Sequence, residues 1–141
     1  MSAQARRATV AELSSSDGCV VLRVSGELDH TAEQTFLRAL GAFVENGHRH
    51  LILDVTALTF CDSRGLGCLL AVRWLLRRRE RLVLLAGAGR RVTELLALTG
   101  SSDLLPVHKT VGQALAVLPA EHRPPWPPVP DRPTAPVDGA N

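Results

Sequence analysis

The chain has 141 residues, 45% of them hydrophobic and 21% charged, with a net charge of +2. A chain of this size can bury a core without disulfides or metals. Its near balance of charge leaves no footprint of a nucleic acid, an anionic membrane or an acidic substrate. Cys19, Cys61 and Cys68 form no CxxC pair and no even-numbered framework, so they read as reduced core thiols of a reducing compartment. Residues 1–7 read as a flexible N-terminus without the apolar stretch of a secretory signal. No segment supplies the ~20 uninterrupted apolar residues that span a bilayer. The expected location is the cytoplasm, with no membrane partner.

In chain order, Ala8 to Leu13 reads as a short strand, Ser14 to Gly18 as a turn, and Cys19 to Val24 as a β-branched strand able to close a hairpin with the first. Ser25 to His30 reads as a loop. Thr31 with Gln34 fits a capping box, and Phe36, Leu37, Leu40, Phe43 and Val44 supply the apolar stripe of a helix that Asn46-Gly47 ends. His50 to Val55 is a buried strand, Thr56 to Asp62 its exit, and Ser63 to about Glu80 a second helix. Leu82 to Ala86 is an apolar strand, and Arg90 to Thr99 is a helix closed by Gly100. Leu104 to Val107 contains Pro106 and so suits an edge strand. Thr110 with Gln113 makes a second capping box for a last helix from Val111 to Leu118. Strands alternating with helices predict an α/β fold with parallel crossovers, the leading hairpin making the sheet mixed.

Composition changes after Leu118. Residues 119–141 hold eight of the nine prolines and few aliphatic side chains, so they are expected to be disordered. Pro124 to Pro128 can be read as a polyproline II ligand or as a solvated tail.

The informative segment is Leu51 to Leu70, LILDVTALTFCDSRGLGCLL. A buried strand runs through a short loop into a helix, and the carboxyl ends of strands are where α/β sheets place their binding sites. Asp62 or Ser63 can cap that helix, which is a complete structural explanation of both residues. Gly65 and Gly67 add something to it. Each costs up to ~1 kcal/mol relative to alanine, which points to a body packed against the helix start.

The run Phe60-Cys61-Asp62-Ser63-Arg64-Gly65-Leu66-Gly67 resembles the signature of the anti-sigma factor antagonists, a family of the STAS domain superfamily. Val24-Ser25-Gly26-Glu27-Leu28-Asp29 with Thr31-Ala32, then Leu98-Thr99-Gly100 and Leu105-Pro106-Val107, extend the likeness over residues 8–118. The resemblance implies a STAS-type domain with a mixed sheet of about four to five strands and about four helices. It implies a regulator rather than an enzyme, with no cofactor. In such a cycle the unphosphorylated protein binds an anti-sigma factor that is also a serine kinase, and a sigma factor is released to direct transcription. Phosphorylation of Ser63 ends binding, and a serine phosphatase resets it. Asp29, Asp62, Ser63, Arg64 and Gly65 are the implied partner-binding residues. Asp29 has a second reading as a loop or capping aspartate, and Arg64 stands where many members carry a second small hydroxyl residue.

Other functions find less support. Gly65-Leu66-Gly67 and Gly87-Ala88-Gly89 each lie between a strand and a helix, but Leu70 and Val92 stand where a dinucleotide fingerprint needs a third glycine or alanine, and no Walker lysine exists. Arg73, Arg77, Arg78, Arg79 and Arg81 could suggest a nucleic acid, yet cations at a helix end also complement its dipole, and no direct nucleic-acid partner is expected. His48 and His50 could face alike on entry to a strand, without a third metal ligand. A STAS module that binds constitutively, without phosphorylation, is the remaining alternative.

Overall fold

A computed structural model describes residues 7–44 and 48–128. Among them, six strands form one mixed sheet: β1 (Thr9–Ser15), β2 (Cys19–Leu28), β3 (His50–Asp54), β4 (Leu58–Cys61), β5 (Val83–Ala86) and β6 (Val107–His108). The strand order is β1-β2-β3-β5-β6, with β4 pairing β2. The hairpin is antiparallel, with Thr9 opposite Ser25 and Ser15 opposite Val20. All other pairings are parallel.

The long strand β2 divides its partners. Cys19 to Arg23 pair with His50 to Asp54 of β3, whereas Gly26 to Leu28 pair with Leu58 to Cys61 of β4. The segment expected to be a loop from Ser25 is therefore strand through Leu28, and the expected exit loop contains β4. Both assignments are fixed by pairing between distant segments, which local pattern does not reveal.

Four helices connect and cover the sheet: α1 (Glu33–Val44), α2 (Ser63–Arg77), α3 (Arg90–Leu98) and α4 (Val111–Leu115). Phe36, Leu40 and Val44 of α1 and Leu66, Leu69, Val72 and Leu76 of α2 repeat at helical spacing, and join Val92 and Leu96 of α3 in one core. That core rests on Val20, Leu22, Leu51, Leu53, Val83 and Leu85 of the sheet. The alternate residues Cys19, Val21, Ile52, Leu84 and Ala86 face the opposite side and meet Val111, Ala114, Leu115 and Leu118, as strand periodicity requires. Strands β3 and β5 are buried along their whole length, which is why they read as unbroken apolar runs. Truncating Leu53 to alanine should cost about 2–5 kcal/mol.

The helix ends depart from expectation in two places. No capping box forms at Thr31: its amide and hydroxyl both donate to Asp29 Oδ1, at 2.9 and 2.6 Å, so an Asx turn precedes α1. At Thr110 the hydroxyl accepts from Gln113 N at 3.1 Å, the expected cap, but α4 stops at Leu115. Gly100 closes α3 with φ +71°. The expected stop at Asn46-Gly47 lies outside the described residues, as do residues 1–6 and 129–141.

Composition placed a disordered tail from Pro119 onward, and the structure differs over residues 119–128. Ala120–His122 form a 3-10 turn, Pro124 is buried, and Trp126, like Leu13, packs against the second face of the sheet. A few large contacts hold this segment where average hydropathy suggested none.

Among the described residues no helix is long and apolar enough to cross a membrane.

Candidate functional site

Strands β2 and β4 end side by side, and the chain leaves them into α1 and α2. This rim gathers the residues singled out in the sequence. Leu28, the last residue of β2, is the pivot. Its carbonyl accepts from Asp62 N at 3.3 Å, and Asp29 follows it directly.

Asp62 is the N-cap of α2. Its backbone is extended (φ −101°, ψ −173°), and its Oδ1 accepts from Gly65 N at 2.8 Å, satisfying one of the free amides of the first turn. Its carbonyl accepts from Leu66 N at 2.9 Å. Of the two candidate caps, Asp62 takes the role and leaves Ser63 as the first helical residue, with its side chain exposed. A group added to the Ser63 hydroxyl would meet solvent, at the helix end whose dipole favours negative charge.

Gly65 is buried and lies against Leu28. A Cβ built on it would stand 2.2 Å from Leu28 O, so glycine is what lets the helix start approach the strand end. Gly67 is exposed with nothing within 4 Å of its Cβ position, so close packing explains the first glycine and not the second.

Arg64 reaches across the rim and pairs with Glu33, Nη2 to Oε1 at 3.3 Å, with both side chains substantially exposed. The pair links the first turns of α2 and α1, although an exposed pair of this kind contributes little to stability. Sequence reasoning did not select Glu33, because an acidic residue in a first helical turn already has a local explanation in the helix dipole.

Asp29 holds the loop that opens α1. The Thr31 hydroxyl, helped by the Thr31 amide and opposed by burial, keeps its carboxyl below the ordinary aspartate range. It is a loop-organising aspartate on the same rim as Ser63, so both of its expected roles are compatible with its position. Beside it, β4 leaves Thr59 and Phe60 exposed, Phe60 at 39%.

The remaining reactive side chains are structural in their surroundings. Burial pushes the Cys19 thiol up to about 12. Burial, with the charge of Asp62 nearby, does the same for Cys61. Neither is a nucleophile at neutral pH. His48 is exposed whereas His50 is buried, so the two do not share a face. Among the described residues no group of three or more His, Cys, Asp or Glu could hold a metal. The arginines 73, 77, 78 and 79 stand along or just past the end of α2, with Arg78 stacked 4.9 Å over the ring of Trp74.

A family model of the STAS domain matches residues 11–114. An anti-sigma F factor antagonist of Paenibacillus polymyxa is 28% identical over 102 residues, spanning 72% of this chain and 87% of that protein. An anti-sigma-B factor antagonist of Listeria monocytogenes is 29% identical over 90 residues, spanning 64% and 79%. Among solved structures, an anti-sigma factor antagonist from Mycobacterium paratuberculosis matches with a TM-score of 0.62 and 30% identity, covering 77% of this chain and 93% of that one. The unphosphorylated form of SpoIIAA shares the fold, with a TM-score of 0.63 at 23% identity, covering 76% and 95%. The chain belongs to the STAS domain family, among the anti-sigma factor antagonists.

Proposed function

We propose that this protein, unphosphorylated, binds an anti-sigma factor that is also a serine kinase, so that a sigma factor is freed to direct transcription. It acts in the cytoplasm as a binding module rather than an enzyme. The interface is the rim of Asp29, Asp62, Ser63 and Arg64, with Gly65 buried beneath it, seating the helix start on Leu28. The kinase turns the interaction off by phosphorylating Ser63, and a serine phosphatase restores it. The observation that carries this reading is the exposed Ser63 hydroxyl at the first helical position, beside a cap already supplied by Asp62. The hydroxyl is accessible and the helix does not depend on it.

Magnitudes support a switch that acts on the interface and spares the fold. A phosphate adds roughly −1.5 to −2 charges, and a helix N-terminus favours such a group by about 0.3–1 kcal/mol. It would stand beside the Asp62 carboxylate and compete with Glu33 for Arg64, both local and solvent-exposed effects. At a closed interface, juxtaposed like charges cost several kcal/mol, and each ~1.4 kcal/mol is a tenfold loss of affinity.

The test is phosphosite mapping by mass spectrometry on protein purified from its native cells, with Ser63→Ala as control. The expected result is a phosphate on Ser63 that is missing from the control. Absence of phosphate under every growth condition would replace the switch with a constitutive binding module.

A further inference from the structure

Residues 119–128 lie beyond the segment matched by the STAS model, yet they are tied to the second face of the sheet. The Ser16 hydroxyl donates to His122 O and the Ser14 hydroxyl to Pro125 O, each at 2.7 Å. Arg123 turns back on α4, its guanidinium donating to Leu118 O at 2.9 Å and Ala116 O at 3.3 Å. Trp126 packs against the second-face cluster that Ile52 and Leu84 share with α4, its ring beside Gly112. The segment therefore runs alongside β1 and, with α4, covers the apolar second face of the sheet.

One contact within this arrangement is chemically unusual. The His122 ring meets the ring of His50 with centroids 5.2 Å apart and planes at 44°. Gly18 makes room for it, since a Cβ there would fall 2.7 Å from the His122 ring. His122 Nδ1 is buried with no hydrogen-bond partner among the described residues. His50 Nδ1 accepts from Leu82 N at 3.0 Å, so that nitrogen carries no proton and the ring is held neutral. Protonating it would set two N–H groups against each other at the entry to β5. The charged or chargeable groups that act on His50 are Arg81, from the turn before β5, and His122 itself, and neither would welcome a cation.

We propose that residues 119–128 form a releasable strap over the second face of the sheet, latched by the packing of the His122 ring on neutral His50 and let go when His50 is protonated. Burial, then Arg81 and His122, hold the basicity of His50 below its ordinary value. A histidine depressed in the folded state stabilises the closed form fully above about pH 6.5, and that stability is lost as pH falls from there toward the lower folded value. Release bares the part of the second face that Trp126 covers beside α4. The face carrying α1 and α2 is untouched, so the strap stands or falls independently of the Ser63 rim.

The test uses the full chain with Trp74→Phe, which leaves Trp126 as the sole tryptophan. Emission and acrylamide quenching of Trp126 are followed from pH 8 to pH 5, alongside far-UV circular dichroism. The expected result is a red shift and a rise in quenching below about pH 6.5 while the dichroism holds. That response should vanish, with emission remaining blue, when His122→Phe or His50→Gln is added. The glutamine amide oxygen can still accept the Leu82 N–H, so the latch loses its titration and keeps its bond. Emission that is flat across the range in the parent, or an unchanged response in both variants, would overturn the proposal. So would emission already red at pH 8 in both variants, or dichroism collapsing at the same midpoint as the emission.

Discussion

Replacing Gly65 with alanine sets two opposed effects against each other at the heart of the rim. Helix propensity favours alanine by up to ~1 kcal/mol. Against this, the new Cβ would stand 2.2 Å from Leu28 O and 3.0 Å from Leu28 C and Cγ, where real Cβ atoms essentially never approach within 3.0 Å. The obstacle is backbone, and the same carbonyl holds Asp62 N, so relief requires moving the end of β2 or the start of α2. Overpacking costs about 1–3 kcal/mol, and an obstacle that is backbone rather than a flexible side chain places it in the upper part of that range, so the net expectation is a loss of about 1–2 kcal/mol. For a domain of this length that lowers the melting temperature by about 3–8 °C. Gly67→Ala is the matched control: with nothing within 4 Å, it should gain up to ~1 kcal/mol. Thermal unfolding of the two variants followed by circular dichroism reads both signs. Gly65→Ala as stable as the parent would refute the close-approach account, and so would both variants shifting the same way.

Further outcomes follow from single contacts. Asp62→Ala removes the cap bonded to Gly65 N and should cost about 0.5–2 kcal/mol in urea unfolding, whereas Ser63→Ala, which removes no cap, should be close to neutral. Burial would raise the carboxyl of Asp54, but the hydroxyl and amide of Thr56 and the guanidinium of Arg23 outweigh it and hold it below the usual range. A depressed carboxyl contributes stability that is present above about pH 3.9 and is lost as pH falls through its lower folded value. Urea midpoints of Asp54→Asn measured from pH 7 to pH 3 should therefore lose part of the parent's acid dependence. Cys19, buried and pushed up to about 12, should resist alkylation at pH 8 until denaturant is added, as mass spectrometry of the labelled protein will show.

The parts of this molecule legible in its sequence are those decided by local pattern. The buried strands around Leu51-Ile52-Leu53 and Val83-Leu84-Leu85 are apolar on both faces and read as such, and the apolar stripes of α1 and α2 follow the helical period. The Asp62-Ser63 helix start was legible because capping chemistry is local. Strand β4 was not: Leu58 to Cys61 is a strand only because the upper half of β2 lies beside it. The same holds for Gly65, whose glycine was visible as an anomaly but whose cause, Leu28 O, is thirty-seven residues earlier in the chain. Thr31 had the sequence of a cap, and the competing acceptor Asp29 took its hydroxyl. In the proline-rich segment, mean composition concealed Pro124, which is buried, and Trp126, which is half-buried, between exposed neighbours.

The divided strand has a mechanical consequence. Between the half of β2 bound to β3 and the half bound to β4, Gly26 turns with φ +95° and the pairing loses register before Glu27. Below that joint the strand is hydrogen-bonded on both sides, to β1 and to β3. Above it, three residue pairs tie β2 to the four-residue strand β4, and on the other side Ala8 N donates to Glu27 O at 2.9 Å. Leu28, Ala32 and Leu66 nevertheless anchor the rim in the main core, so the joint at Gly26 redirects the strand end without freeing it. A partner that gripped Ser63, as proposed, would therefore pull on a strand end aimed by Gly26 and seated in the same core as the sheet beneath it.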